Sequence, residues 1–166
     1  MTQRRRIFTV YCLLAGCLIA ISASAQNLPD AANAAQSAAE NPESLWKIEI
    51  RDAITSWASA WQSQMDDLYL LHYDPAFEPE GFASVEQWQA ARRSRLQDPE
   101  HIDITLRGLE FVRLEETEAR VRFWLKYSRP GYADDTHKEM QLVKNSGVWQ
   151  IRSEHNVQVM RLAAPG

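Results

Sequence analysis

A helical first half followed by an antiparallel β second half, an α+β domain, is the fold class this sequence predicts. Two periodicities and a pair of turns predict it. Between residues 44 and 98 apolar side chains recur at steps of three and four, which stacks them on one face of a helix. From Ile102 onward the step is two, the alternation of strands with one buried face. Arg129-Pro130-Gly131 and Asn145-Ser146-Gly147 supply turns between the strands, the second being a short-hairpin signal. Helices first and strands after imply about three helices packed on one face of a curved antiparallel sheet of four or more strands.

The first segment, residues 1–25, has the three parts of a secretory signal peptide: Arg4-Arg5-Arg6, an apolar run from Ile7 to Ile21, and Ala23-Ser24-Ala25. About fifteen apolar residues fall short of the roughly 20 that a spanning helix needs, so the expectation is removal and export to the periplasm. Leu14-Ala15-Gly16-Cys17 also fits a lipoprotein signal, which would anchor the chain to the membrane through lipid on Cys17. The apolar Leu18-Ile19-Ala20-Ile21 that follows is unlike a polar tether, and this favours cleavage after Ala25.

Cys12 and Cys17 both lie in this leader. A mature chain beginning at Gln26 therefore has no disulfide, no thiol nucleophile and no cysteine-ligated metal. Losing three arginines and no acids takes the net charge from −4 to −7. Such an acidic chain is a poor match for nucleic acid, whose phosphates draw on clustered positive charge. The 141 residues left are one domain by size.

Residues 26–43 contain almost nothing large to bury and read as a linker or frayed helix, which leaves 44–160 for the folded domain. Trp46, Ile50, Ala53, Ile54, Trp57 and Trp61 form one face of the first helix. Asp66 to Tyr73 is a short second helix with Leu68 and Leu71 inward, ended by Asp74-Pro75. Ser84-x-x-Gln87 is a capping box that opens a third helix, with Val85, Trp88, Arg92 and Leu96 on one face and Asp98-Pro99 at its end. Among the strands, Ile102, Ile104 and Leu106 share a face, as do Val121, Phe123, Leu125 and Tyr127, and then Trp149, Ile151 and Ser153.

The series Trp57-x3-Trp61, Asp67-x-Tyr69-Leu70-x2-Tyr73-x3-Phe77 and Trp88-x3-Arg92-x2-Arg95 is followed by Val121-x-Phe123-x3-Tyr127, Tyr132, Lys138-x3-Leu142 and Trp149-x-Ile151-x2-Glu154. In this order and spacing, over about residues 45–158, the chain resembles the nuclear transport factor 2-like (SnoaL-like) superfamily. The branch it is most similar to is the C-terminal domain of cell-shape and murein L,D-transpeptidase-type proteins. The resemblance implies a cone in which helices close over a strongly bent sheet and leave a pocket. It also implies dimerisation through the outer sheet face in many members, with enzymes and pure binders both represented. The chain departs from that branch at Met65, Leu125 and Arg129, where Asp, Gln and Ser are common.

Six residues are candidates for the pocket: Tyr69, Tyr73, Arg92, Tyr127, Lys138 and Glu154. Arg92 is in register with buried residues, so its stem runs along the apolar face and its guanidinium needs an acceptor. That acceptor is either an anionic ligand, such as a peptide carboxylate, or a structural partner, Asp67 or Glu154. The three tyrosines can turn their hydroxyls into a cavity or pack in the core. Lys138 and Glu154 match family positions and also suit a plain cross-strand pair. Trp124 is out of phase with the buried alternation and is the candidate for a subunit or partner surface, whereas the other five tryptophans suit the core.

His72, His101, His137 and His155 have no ligand spacing, and neither a metal nor a cofactor is expected. The function expected is that of an exported, non-catalytic binding or accessory domain of the bacterial envelope. It would engage a peptide, a murein fragment or an envelope enzyme. The alternatives are a SnoaL-like small-molecule enzyme (isomerase, cyclase or dehydratase) with an acid or base in the cone, and a purely structural homodimer.

Overall fold

The computed structural model describes residues 41–163. The leader with Cys12 and Cys17, and residues 26–40 of the expected linker, lie outside the described residues. Three helices, α1 (Pro42–Gln62), α2 (Asp66–Leu71) and α3 (Val85–Gln97), precede four strands. These are β1 (Asp103–Leu114), β2 (Glu118–Arg129), β3 (Tyr132–Asn145) and β4 (Val148–Arg161), joined in the order β1-β2-β3-β4 as one antiparallel sheet. The expected α+β class is observed.

Helix α1 begins two residues before the boundary drawn from composition. The Asn41 side chain accepts from the Glu43 amide at 3.1 Å, and Pro42 stands in the first turn, where its missing N–H costs nothing. The helix buries Ile50, Ile54 and Trp57, the face its periodicity marks. At its end the Gln64 side chain donates to the carbonyls of Leu96 (2.6 Å) and Pro99 (2.7 Å), tying this corner to the end of α3. Helix α3 opens with the Ser84 hydroxyl accepting from the Gln87 amide at 3.3 Å, one half of the expected box.

Helix α2 corrects one expectation. Leu68 and Leu71 are 46% and 68% exposed, and the side chain that α2 buries is Tyr69. A six-residue helix has no stripe long enough for leucine spacing to decide its face. Two other features fix the rotation. Tyr69 and Tyr73, one turn apart, find hydroxyl partners inside, while Asp67 and Asp66 reach Arg93 of α3 at 2.9 and 3.6 Å. Beyond α2 the chain is clamped to β4, with Asp74 N donating to Ile151 O at 2.9 Å and Ile151 N to His72 O at 2.8 Å.

Both turns read from the sequence are tight hairpins. Ser146 and Gly147 have φ of 48° and 85°, the two positive values of a type I′ connection. Pro130 precedes Gly131, whose φ is 73°.

Bulges bend the sheet. In β1 one sits at Gly108, with φ of 66°, between the pairs Arg107–Trp124 and Glu110–Arg122. Strand β4 carries two extra residues. Ile151 pairs with Leu142 but Ser153 pairs with Gln141, which leaves Arg152 unpaired; Asn156 and Gln158 flank Val157 in the same way. The first of these bulges overturns a second expectation. Simple alternation puts Ser153 on the face of Trp149 and Ile151, yet the extra residue reverses the phase. Ser153 is half-buried, and Glu154 turns into the core.

Candidate functional site

The inward row of β3 changes character along its length. Asp134, Thr136 and Lys138 come first, then Met140 and Leu142, facing Tyr127, Leu125, Phe123, Val121 and Ala119 of β2 in turn. The apolar end closes the core, and the polar end leaves a cavity of about 370 Å³. Its wall is aromatic on one side, with Trp61, Tyr69, Tyr127 and Tyr132. A second lobe of about 190 Å³ lies against Phe77, Phe82 and Trp88. Arg92, Arg95, Lys138 and Asn156 face both lobes and form the neck between them.

At the back of this neck stands Glu154, 9% exposed. Lys138 Nζ donates to its Oε2 at 3.0 Å, and Arg92 Nη2 to its Oε1 at 3.0 Å. The Tyr73 hydroxyl lies 3.5 Å from Oε1 and itself accepts from Trp57 Nε1 at 3.0 Å. It shares a 2.6 Å hydrogen bond with the Tyr69 hydroxyl. Lys138 also donates to Asn156 Oδ1 at 3.0 Å. The result is a connected polar chain that crosses the core from α1 to β4, with every member hydrogen-bonded.

Burial by itself would raise the Glu154 pKa, but the Lys138 and Arg92 charges outweigh it and hold the carboxyl below its ordinary 4.5. Burial pushes the Tyr69 phenol up to about 12, and burial followed by the Glu154 charge pushes Tyr73 well above 10. At neutral pH the carboxylate is ionised and the phenols are not. Neither tyrosine is a base there, and Glu154 has its charge committed to two cations.

Five of the six candidate residues therefore belong to one network. Tyr69, Arg92 and Lys138 face the main cavity, Glu154 faces the second lobe, and Tyr73 stands behind them as a support. Tyr127 stands on the cavity wall, partly buried, with its phenol pKa raised by burial. The partner of Arg92 is Glu154, while Asp67 pairs with Arg93. None of the four histidines lines either lobe. His72 contacts Ser56 (3.3 Å), His155 contacts Glu80 (3.2 Å), and His137 stacks on Trp124 with ring centres 4.8 Å apart. Among the described residues, no three His, Cys, Asp or Glu side chains gather as a metal ion would require.

Trp124 lies on the opposite sheet face, half-buried between His137 and the Arg107 guanidinium 5.1 Å from its ring. Trp61 packs against the core as its periodicity predicts and also stands on the cavity wall, while Arg95, Arg129, Asp134 and Asn156 are cavity residues outside the six candidates. A signal for the β3 members was present. Three inward polar positions followed by two apolar ones mark a strand that runs from a cavity into a core. Two of the three departures, Leu125 and Arg129, stand on the cavity wall, while Met65 is exposed elsewhere.

Helices closing over a bent antiparallel sheet, with a polar pocket at the open end, define an NTF2-like domain. The model of the Cds6 C-terminal NTF2-like domain family matches residues 49–155, and the chain belongs to that family. No curated protein sequence matches it. Among solved structures it is similar to Bd1075 of Bdellovibrio bacteriovorus, with TM-score 0.59 and 21% identity over 65% of this chain and 40% of that one. It is similar to a variant of the helical cell shape determining protein Pgp2 of Campylobacter jejuni, with TM-score 0.56 and 21% identity over 62% of this chain and 38% of that one. A candidate scytalone dehydratase of Novosphingobium aromaticivorans also matches, with TM-score 0.60 and 10% identity over 73% of this chain and 90% of that one. The chain spans about two fifths of the length of Bd1075 and of Pgp2. These identities establish a shared fold.

Proposed function

We propose that the chain is an exported, non-catalytic binding domain of the bacterial envelope whose cone pocket engages a peptide or a murein fragment, alone or presented by an envelope enzyme. The observation that carries this reading is the state of Glu154. The carboxylate is buried, ionised and held by both Arg92 and Lys138, so it braces a preformed cavity and is not poised to take a proton. The leader supports export, and the similarity to a cell-shape protein supports an envelope setting.

The similarity to a candidate dehydratase keeps an acid–base enzyme as the second reading. That reading needs a group in the cavity with a pKa moved toward neutrality. Glu154 is moved the other way, and no histidine faces either lobe.

Retention of the purified chain on isolated cell-wall sacculi, together with capture from envelope extract, tests the proposal. Saturable retention, or a captured envelope enzyme, supports it. Neither outcome with folded protein removes it. Homodimerisation would use the outer face around Trp124. Light scattering should then give a dimer mass for the wild type and a monomer mass for Trp124→Glu, and an unchanged mass clears Trp124 of that role.

A further inference from the structure

Strand β4 lies at the edge of the sheet and pairs with β3 alone. The chain itself covers the first half of its outer edge. His72 O and Asp74 N satisfy Ile151, Glu78 N donates to Arg152 O at 3.2 Å, and Glu80 meets His155 at 3.2 Å. From Asn156 to Arg161 no other segment of the described residues pairs with that edge, and every residue of the stretch is exposed. Open edges are normally blunted by charge, proline, shortness or a bulge. The bulge at Val157 bends the strand where the open stretch begins, but Gln158–Arg161 is regular. The stretch also carries Val157, Val159 and Met160, which are 56%, 54% and 37% exposed.

The ladder fixes which backbone groups are on offer. Leu162 N donates to Ala133 O at 3.0 Å, and the pairs before it are Arg161–Asp134, Met160–Asp135, Val159–Thr136 and Gln158–His137. Hydrogen-bonded and non-hydrogen-bonded pairs alternate in an antiparallel ladder. Gln158, Met160 and Leu162 therefore spend their N–H and C=O groups on β3, while Val159 and Arg161 turn theirs outward. Ile151 turns its groups the same way, and there His72 and Asp74 meet them. Charge adds a second constraint. Arg161 lies over the Tyr132 ring at 4.2 Å and has no carboxylate partner among the described residues. Its cross-strand neighbour Asp134 accepts instead from the Tyr132 and Thr136 hydroxyls, at 2.8 and 3.2 Å.

From this arrangement we infer that the open edge of β4, Asn156–Arg161, takes an extended segment of a partner protein as an antiparallel fifth strand, with an acidic residue of that segment against Arg161. The surface is the edge of the sheet and not the lining of the cone, so the inference goes beyond the pocket reading. Main-chain bonds to Val159 and Arg161 give the added strand its hold, and residues opposite Val157 and Val159 give it a preference for β-branched side chains. Charge complementarity selects the occupant. A second copy of the chain would lay Asn156–Arg161 against itself, a stretch with no acid, and leave both copies of Arg161 without a counter-charge. An acidic strand from another protein supplies it.

The test uses the purified chain at low salt and a fluorescein-labelled peptide, Gly-Asp-Thr-Val-Thr-Val-amide, with a second peptide in which Lys replaces Asp. Anisotropy reports binding, and amide hydrogen exchange reports where. The Asp peptide should bind about threefold or more tightly than the Lys peptide, the scale of one exposed ion pair. It should slow exchange at the Val159 and Arg161 amides and leave the already bonded Met160 and Leu162 amides unchanged. Arg161→Glu should reverse the preference between the two peptides, a swap that a merely structural role would not produce. Val159→Pro removes an outward N–H and no ladder bond, so it should weaken both peptides about fivefold with the fold retained by circular dichroism. No binding by folded wild type, or binding without protection at Val159 and Arg161, overturns the inference. Equal binding of the two peptides overturns the acidic partner. Protection of the same two amides in the chain alone, where it sediments as a dimer, overturns the foreign strand in favour of a second copy. Murein-peptide binding that Arg95→Gln weakens, with the β4 edge unprotected, would sink this inference and leave the cone reading standing. Edge protection without any murein-peptide binding would do the reverse.

Discussion

Glu154 has two cations and a tyrosine hydroxyl around a carboxylate that water barely reaches, so its removal should be felt throughout the fold. Glu154→Gln leaves Lys138 and Arg92 facing each other with no counter-charge, and should cost about 3–5 kcal/mol in urea unfolding. Tyr73→Phe strands the Trp57 indole N–H and the Tyr69 hydroxyl, and should cost about 1–3 kcal/mol by the same measurement. The pH response has a definite sign. The folded pKa of Glu154 lies below its ordinary 4.5, so its stabilisation is complete above that value and is lost as pH falls through the folded one. Thermal melts should show wild type losing stability more steeply than Glu154→Gln below pH 4.5; parallel curves would show that the pair contributes nothing. At this scale the sequence was informative because polar residues on an apolar phase, such as Arg92 and Tyr69, require partners. The partner of Arg92 could be narrowed only to Asp67 or Glu154, since the choice depends on a contact between residues 62 apart.

Single extra residues decide what the elements present. The bulge at Arg152 moves Glu154 from the outer phase to the inner one, and no periodicity rule foresees it, because a bulge is a mismatch between two strands and not a pattern within one. Arg152 is held where it is by Asp74, with Nε 2.9 Å from Oδ1. Deleting Arg152 should therefore remove the bulge while leaving Glu154 opposite Met140 on the inner face, so denaturant melts should stay cooperative with a midpoint lowered by loss of the Asp74 pair. The hairpins were readable for the opposite reason. Ser146-Gly147 and Pro130-Gly131 carry their geometry locally, through residues that tolerate or fix the required φ. Gly147→Ala forces an alanine to a φ of 85° and should cost about 1 kcal/mol, although nothing stands within 4 Å of its new methyl. Helix α2 lies between these cases. Its existence was legible from Asp66 to Leu71, but its rotation was not, because hydroxyl and carboxylate partners on other elements set it.

For the whole molecule, the order of helices and strands was open to reading because each long element has its own period. The cavity was harder to see, since its polar residues come from α2, α3 and three separate strands. The two sheet faces have separable tasks: the inner face holds the pocket, and the outer one carries Trp124 between Arg107 and His137. On the proposed reading, the cone is a preformed binding site. Its most direct test is a titration of soluble murein peptides into the purified chain, followed by calorimetry and by Trp61 and Trp88 emission. Binding should be saturable, weakened by Arg95→Gln and unchanged by Trp124→Glu; a flat titration of folded wild-type protein would contradict a preformed binding site.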